Sequence, residues 1–94
     1  MKKEVEVVIN FKNGEGEVRL PKNATNIHAK ISKELRNEYL CATVDSEENE
    51  TEKYLIVSNT EKMKNPGAEG FTFLKRVFHI TIGNLYWYYK KCSC

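Results

Sequence analysis

The residues best suited to binding chemistry are concentrated in the C-terminal stretch 71–94. This stretch holds seven of the ten aromatic residues and four basic residues, but no acidic residue. Gly83-Asn84 is a pair typical of two-residue type II′ turns, so the stretch is predicted to fold as a hairpin around that pair. The outer face of this hairpin is the candidate partner-binding site, formed by Lys75, His79, Thr81, Tyr86, Tyr88 and Lys90.

Aromatic rings beside cations suit more than one kind of partner. Proteins use such surfaces to bind other proteins, and single-strand binders use them to stack bases and pair phosphates. We expect a protein partner, with single-stranded DNA or RNA as the alternative. An ordinary solvated strand surface or a homodimer interface is consistent with the same residues.

The predicted turn also assigns a core face to the hairpin. It sets Ile82 opposite Leu85 and makes Phe78 and Ile80 part of a buried row with Trp87. Upstream, Phe71 and Phe73 alternate out of phase with Phe78 and Ile80. An extra residue would bring them into phase, which predicts a β-bulge near residues 74–76.

A second charged feature is the segment 45–52, which has five carboxylates and no basic residue. It lacks the central glycine of an EF-hand calcium loop, so we expect no metal site. It is predicted to be a solvated hairpin loop between strands 39–44 and 53–58, and a secondary binding site. Its acidic residues are Asp45, Glu47, Glu48, Glu50 and Glu52.

Nothing in the chain matches a catalytic motif. There is no metalloprotease helix motif, no glycine-rich phosphate loop and no nucleophile in a recognisable setting, so we expect a non-enzymatic protein without a cofactor. Cys41 lies in an apolar run and is predicted to be a small buried residue. Cys92 and Cys94 are assigned to a frayed tail over residues 91–94.

Length and composition indicate one globular domain. The chain has 94 residues, of which 40% are hydrophobic and 30% charged. Its net charge of +2 conceals an uneven distribution, with −5 over residues 45–52 and +4 over residues 71–94. No apolar stretch is long enough for a signal peptide or a membrane span, so we expect a cytoplasmic protein with no membrane partner.

The N-terminal half predicts a hairpin followed by a helix. Residues 4–11 alternate as a half-buried strand, and Asn13-Gly14 suits a type I′ turn that pairs Ile9 with Val18 and Val7 with Leu20. Thr25 is a plausible N-cap for a helix over residues 26–37, since Ile27, Ile31 and Leu35 are spaced at i, i+4 and i+8.

These elements predict an α+β protein of order ββαββββ, with one helix on one face of an antiparallel-dominated sheet of five to six strands. Residues 4–36 resemble the opening of the ubiquitin-like β-grasp fold, and residues 25–31 are similar to the start of the ubiquitin helix. The resemblance implies the same helix-on-sheet packing. The resemblance bears on the fold alone. A single domain of this size, with an acidic loop and a basic, aromatic hairpin, is expected to be a small interaction protein of adaptor or inhibitor type.

Overall fold

Seven strands of alternating or continuous apolar character make up the computed structural model, which describes residues 1–32 and 37–92. In those residues the only helical element is a 3-10 turn at Pro66–Glu69. The strands are β1 Lys2–Val8, β2 Glu15–Pro21, β3 Thr25–Ser32, β4 Asn37–Asp45, β5 Thr51–Asn59, β6 Thr72–His79 and β7 Gly83–Cys92. Lys91 and Cys92, assigned from sequence to a tail, are the last residues of β7.

The strands form two antiparallel sheets around one core. The three-stranded sheet has the order β1-β4-β3, and the four-stranded sheet has the order β2-β5-β7-β6. Alternate residues of both sheets point into a shared cluster, because apolar side chains on one face of each sheet leave water when the sheets pack together. Its fully buried members are Leu20, Leu40, Val44 and Ile56.

The prediction of an α+β fold is wrong, because residues 25–32 form β3 and no helix lies on a sheet face in the described part of the chain. Ile27 and Ile31 are four residues apart, a spacing that suits one face of a helix and one face of a strand equally. Ala29 lies between them on the same strand face and packs against the core with them. The implied β-grasp packing is therefore absent, and residues 33–36 of the predicted helix lie outside the described residues.

The prediction of the first hairpin is right at its turn and wrong for the strands beyond the turn. Asn13 and Gly14 have φ of 56° and 80°, and Lys12 and Glu15 form the expected bridge. The strands then diverge into different sheets, so Val7 pairs with Leu40 in β4. Val18 pairs with Tyr54 in β5 rather than with Ile9. The inward-facing apolar residues of β2 are buried and those of β1 are partly buried, and the two strands contact the core from different sheets.

The acidic segment is not a hairpin loop either. β4 and β5 belong to different sheets, so residues 46–50 carry the chain across the core at one end of the molecule. The predicted strands on both sides are present. Asn37–Asp45 and Thr51–Asn59 each begin two residues earlier and end one residue later than predicted. Two short predicted strands that flank a polar segment need not pair with each other. Their partners depend on the other strands of the sheet, which the local pattern does not encode.

One connection covers part of a sheet face. β5 and β6 both run antiparallel to β7, which lies between them, so residues 60–71 must return across β7. This connection, the β5–β6 crossover, contains the 3-10 turn and lies over the outer face of the four-stranded sheet. The backbone N–H of Met63 in the crossover donates a hydrogen bond to the Tyr88 hydroxyl at 3.0 Å.

Candidate interaction surface

The C-terminal hairpin turns earlier than the sequence predicts. His79 pairs with Gly83, which leaves Ile80, Thr81 and Ile82 as a three-residue turn. Gly83 has φ of 94°, and a glycine with positive φ suits both a two-residue turn and the end of a three-residue turn. The predicted register is therefore wrong, since Val77 rather than Ile82 lies opposite Leu85.

The predicted and observed registers differ by an odd number of residues. Side chains of β6 that were predicted to face the core therefore face outward, and the reverse. Phe78 and Ile80, predicted to be core, are 73% and 89% exposed. Ile82 is 55% exposed, whereas Val77 packs against the core. We call Phe78, Ile80 and Ile82 the hairpin tip.

The predicted bulge is present. The register between β6 and β7 shifts between Phe73 and Lys75, which leaves Leu74 as the extra residue. Lys75 lies opposite Trp87, a core residue, so its side chain starts from the inner face of the sheet rather than the outer one. Arg76, which was not among the predicted site residues, takes the outer-face position opposite Tyr86.

On β7 the inner and outer faces carry the predicted residues, but the outer-face residues are less exposed than predicted. Leu85, Trp87 and Tyr89 pack with the core, and the alternate residues Tyr86 and Lys90 are half-buried on the outer face. Tyr88 is on that face too, yet it is buried beneath the crossover. Its ring meets Phe73 edge-on at 5.5 Å.

Lys90 is also engaged within the chain, since its ammonium lies 4.8 Å from the centre of the Phe71 ring. A cation over an aromatic face is attracted by the ring's negative π-surface. Together, Tyr88 and Lys90 hold the crossover against the sheet, and neither is a free recognition group.

The last two predicted site residues stabilise the turn. The Thr81 backbone N–H donates to His79 Nδ1 at 3.3 Å, and the Thr81 hydroxyl lies 2.9 Å from the same nitrogen. Because a backbone N–H can only donate, Nδ1 is the acceptor and carries no proton in this arrangement. His79 and Thr81 are exposed and lie together, directly beside the hairpin tip.

The exposed apolar side chains therefore lie where the sequence argument predicted core. Among residues 1–32 and 37–92, four of the six exposed large hydrophobic side chains belong to this hairpin: Phe73, Phe78, Ile80 and Ile82. The composition of residues 71–94 identified the hairpin as the place of interest, but not which residues face solvent. Identifying them requires the strand register, and Gly83-Asn84 is compatible with two registers.

The two adjacent cations of β6 differ in ion pairing from Lys53 and Lys91, which lie at the other end of the same sheet. In the described residues neither Lys75 nor Arg76 has an ion-pair partner. Lys53 and Lys91, at the opposite end of the same sheet, pair with Glu17 at 3.8 Å and Glu52 at 3.4 Å. The hairpin thus combines unneutralised cations with solvent-exposed apolar groups.

The acidic segment lies at the other end of the same sheet. Cys92 at the end of β7 is opposite Lys53, next to that segment, and Gly83 is nine residues away, about 30 Å at the rise of a strand. Three of its five carboxylates are ion-paired within the chain. These pairs are Asp45 with the N-terminal amino group, Glu50 with Lys22 and Glu52 with Lys91.

The remaining two acidic residues, Glu47 and Glu48, make no ion pair with any residue that the structure describes. The Glu48 carboxylate instead accepts the backbone N–H of Glu50 at 3.1 Å, which shapes the connection. The backbone N–H of Glu47 and the N-terminal amino group together hold the pKa of Asp45 below its usual range. The segment offers fewer free charges to a partner than its composition suggests.

Reactive side chains also meet on the outer face of the three-stranded sheet. Cys41 lies between Glu6 on β1 and His28 on β3, and Lys30 donates to the Glu6 carboxylate at 2.9 Å. Cys41 is buried, as predicted, and burial together with the negative charge of Glu6 raises the pKa of its thiol. A raised pKa leaves less thiolate at neutral pH, so this row is poorly suited to nucleophilic chemistry.

Residues 1–32 and 37–92 contain neither a cluster of metal-binding side chains nor a membrane-spanning helix. No cluster of three or more His, Cys, Asp or Glu side chains is placed to hold a metal ion there. The same residues contain no helix with the length and apolar character needed to cross a membrane. No protein-family model matches the chain, and neither curated proteins nor solved structures include a match to it.

Proposed function

We propose that the chain is a small non-enzymatic interaction protein, of adaptor or inhibitor type, that binds a protein partner through its C-terminal hairpin. The observation that carries the proposal is the exposure of Phe73, Phe78, Ile80 and Ile82 on one hairpin. Contiguous exposed apolar side chains, especially with a polar rim, are typical of interaction sites on soluble domains.

The composition of the surface supports a protein partner. Protein interfaces are enriched in aromatic residues and arginine, and the hairpin presents Phe73, Phe78 and Arg76 on one strand. Burying a side chain such as Phe or Ile contributes about 1.5–3 kcal/mol, so a few residues of this kind are enough to anchor a complex.

The test is a photo-crosslinking amino acid at Ile80, compared with the same group at Glu47 on the opposite end. A crosslinked protein is identified by mass spectrometry, purified and titrated against the wild-type chain. We expect Phe78→Ser plus Ile80→Ser to weaken that binding by more than about tenfold, because loss of two hot-spot contacts costs over ~2 kcal/mol.

Val8→Ser is the matched control, because Val8 is also an exposed apolar residue but lies on β1. It should leave the affinity unchanged. Equal loss from both variants, or crosslinking at Glu47 alone, would refute the assignment of binding to the hairpin.

A single-stranded nucleic acid is the second candidate, favoured by one arrangement along β6. Phe73 and Phe78 are exposed, and Arg76 lies between them on the same outer face. Two rings flanking a guanidinium suit base stacking and phosphate pairing. A labelled oligonucleotide titrated at several salt concentrations tests this, since phosphate contacts make the affinity fall steeply with salt. Absence of salt-sensitive binding would remove the candidate.

A further inference from the structure

We propose that the outer edge of β6, which pairs with no other strand than β7 among the described residues, takes up an extended acidic segment of the partner protein as an added strand. This inference rests on the proposed function and specifies the partner's chemistry. The partner segment would carry two adjacent carboxylates flanked by apolar residues, matched to Lys75, Arg76, Phe73 and Phe78.

β6 is an edge strand of its sheet, and β3 of the other sheet contacts part of it. β6 is the last strand of the order β2-β5-β7-β6, and β7 is its only hydrogen-bonded neighbour among the described strands. An edge strand presents alternate N–H and C=O groups that a partner strand can use. After the bulge at Leu74, Lys75 to His79 pair with β7 in unbroken register, which leaves a five-residue edge.

The charges of this edge select against a second copy of the same chain. Lys75 and Arg76 are adjacent in sequence, so their side chains leave opposite faces of the strand. Centred on Val77, a two-fold antiparallel pairing with the sheet faces aligned puts Lys75 opposite His79 and Arg76 opposite Phe78, so neither cation meets a carboxylate. Centred on Lys75 or Arg76, the same pairing puts that residue opposite its own copy. Like charges directly opposite each other are destabilising.

The same charges favour an acidic strand. With neither cation neutralised by a described residue, carboxylates at two successive positions of a partner strand would meet both of them, one on each face. Two cations on an edge strand repel a second copy of that strand and attract a strand with carboxylates. The same charges thus provide specificity for an acidic partner. Charge complementarity therefore identifies the occupant.

The length of the apolar surface argues for a chain rather than a lipid surface. Phe73 and Phe78 are five residues apart, about 17 Å along the strand. A segment penetrating a bilayer interface reaches a depth of ~5–10 Å, so a membrane that contacts the hairpin tip end-on leaves Phe73 out of reach. A strand lying along β6 contacts Phe73, Arg76 and Phe78 together.

The test uses three synthetic peptides and the full-length chain. The first has two adjacent glutamates flanked by leucines, the second has lysines in place of the glutamates, and the third is the acidic peptide with N-methyl groups on alternate amides. Nuclear magnetic resonance (NMR) titration should show the acidic peptide binding with shifts centred on β6 and slowed amide exchange there. The lysine peptide and the N-methylated peptide should bind at least about tenfold more weakly, because charge attraction and backbone hydrogen bonds are lost in turn.

The variant Lys75→Glu plus Arg76→Glu should reverse the charge preference and bind the lysine peptide instead. Lys62→Glu plus Lys64→Glu, in the crossover, is the control with an equal charge change and should keep the wild-type preference. Equal binding of the acidic and lysine peptides overturns the charge argument, and equal binding of the N-methylated peptide overturns strand addition. Binding of phosphatidylserine-containing vesicles in preference to the acidic peptide also overturns the proposal.

The crosslinked native partner separates this inference from the proposed function. If its affinity falls with Phe78→Ser plus Ile80→Ser but not with the double charge reversal, the hairpin is the binding site and the acidic strand is wrong. If neither variant changes the affinity, both proposals fail.

Discussion

The Tyr88 hydroxyl accepts a hydrogen bond from the Met63 backbone N–H at 3.0 Å, which ties the β5–β6 crossover to the outer face of the four-stranded sheet. Tyr88 is only 1% exposed, although its residue type and strand parity suggest a solvent-facing recognition residue. The contact limits the open part of the hairpin to its tip and the outer edge of β6.

Tyr88→Phe should loosen the crossover without disturbing the sheet. The change removes one hydrogen bond and keeps the ring against Phe73, so we expect the free energy of unfolding to fall by about 1 kcal/mol. Amide exchange over residues 60–70 should accelerate more than in β7. Tyr86→Phe is the control, since no hydrogen bond involves the Tyr86 hydroxyl in the described part of the chain. An equal exchange profile for the two variants would contradict the role of Tyr88.

Gly16→Ala should destabilise the protein where the chain passes between the sheets. A Cβ at Gly16 would lie 2.8 Å from Ile9 Cγ2 and 3.3 Å from the Asn10 carbonyl oxygen. Both are fixed parts of the crossing from β1 to β2, so we expect a loss of about 1–3 kcal/mol in urea unfolding. Gly67→Ala has no atom within 4 Å of the added Cβ and should change stability by under ~0.5 kcal/mol.

Asp45 should contribute to the acid sensitivity of the fold. The Glu47 backbone N–H and the N-terminal amino group favour its charged form, so its pKa is lower in the folded chain than in the unfolded chain. Its contribution to stability is then present above the unfolded pKa and disappears as the pH falls through the folded value. Asp45 is the only aspartate in the chain, so NMR titration of its carboxyl carbon in native buffer and in urea measures the difference directly.

An Asp45→Asn variant should show a smaller loss of stability between neutral and acidic pH than the wild type. Chemical acetylation of the amino terminus removes one of the two causes and should raise the folded pKa part of the way. A carboxyl carbon that titrates at the same pH in the native and unfolded chains would contradict the assignment.

The sequence predicted the first turn correctly but not the long-range pairing of the strands beside it. Asn13-Gly14 forms the expected turn because its requirement for two positive φ angles is met within two residues. The pairing of Val7 and Val18 depends on strands more than 20 residues away, and no local pattern encodes it. Ile27 and Ile31 satisfy helical and extended periodicity alike, so the choice between them is made by the core.

For the candidate site, too, the location could be predicted from local sequence, but the strand register could not. An aromatic, basic hairpin near the C-terminus could be predicted from composition. The exposed residues could not, because glycine at position 83 suits turns of two different lengths and each length buries a different face of β6. Arg76 and the hairpin tip emerge as candidates only once the register is known.

A pair of substitutions on adjacent residues of β6 tests this register directly. Val77 packs against the core opposite Leu85, whereas Phe78 is 73% exposed. Val77→Ser should lower the free energy of unfolding by about 1–2 kcal/mol, since it removes buried apolar surface and brings a hydroxyl toward the core. Phe78→Ser should change it by less than ~0.5 kcal/mol, because its ring is largely in water in both states. The two-residue turn at Gly83-Asn84 requires the opposite order, so urea unfolding of these two variants decides which face of the hairpin is free to bind.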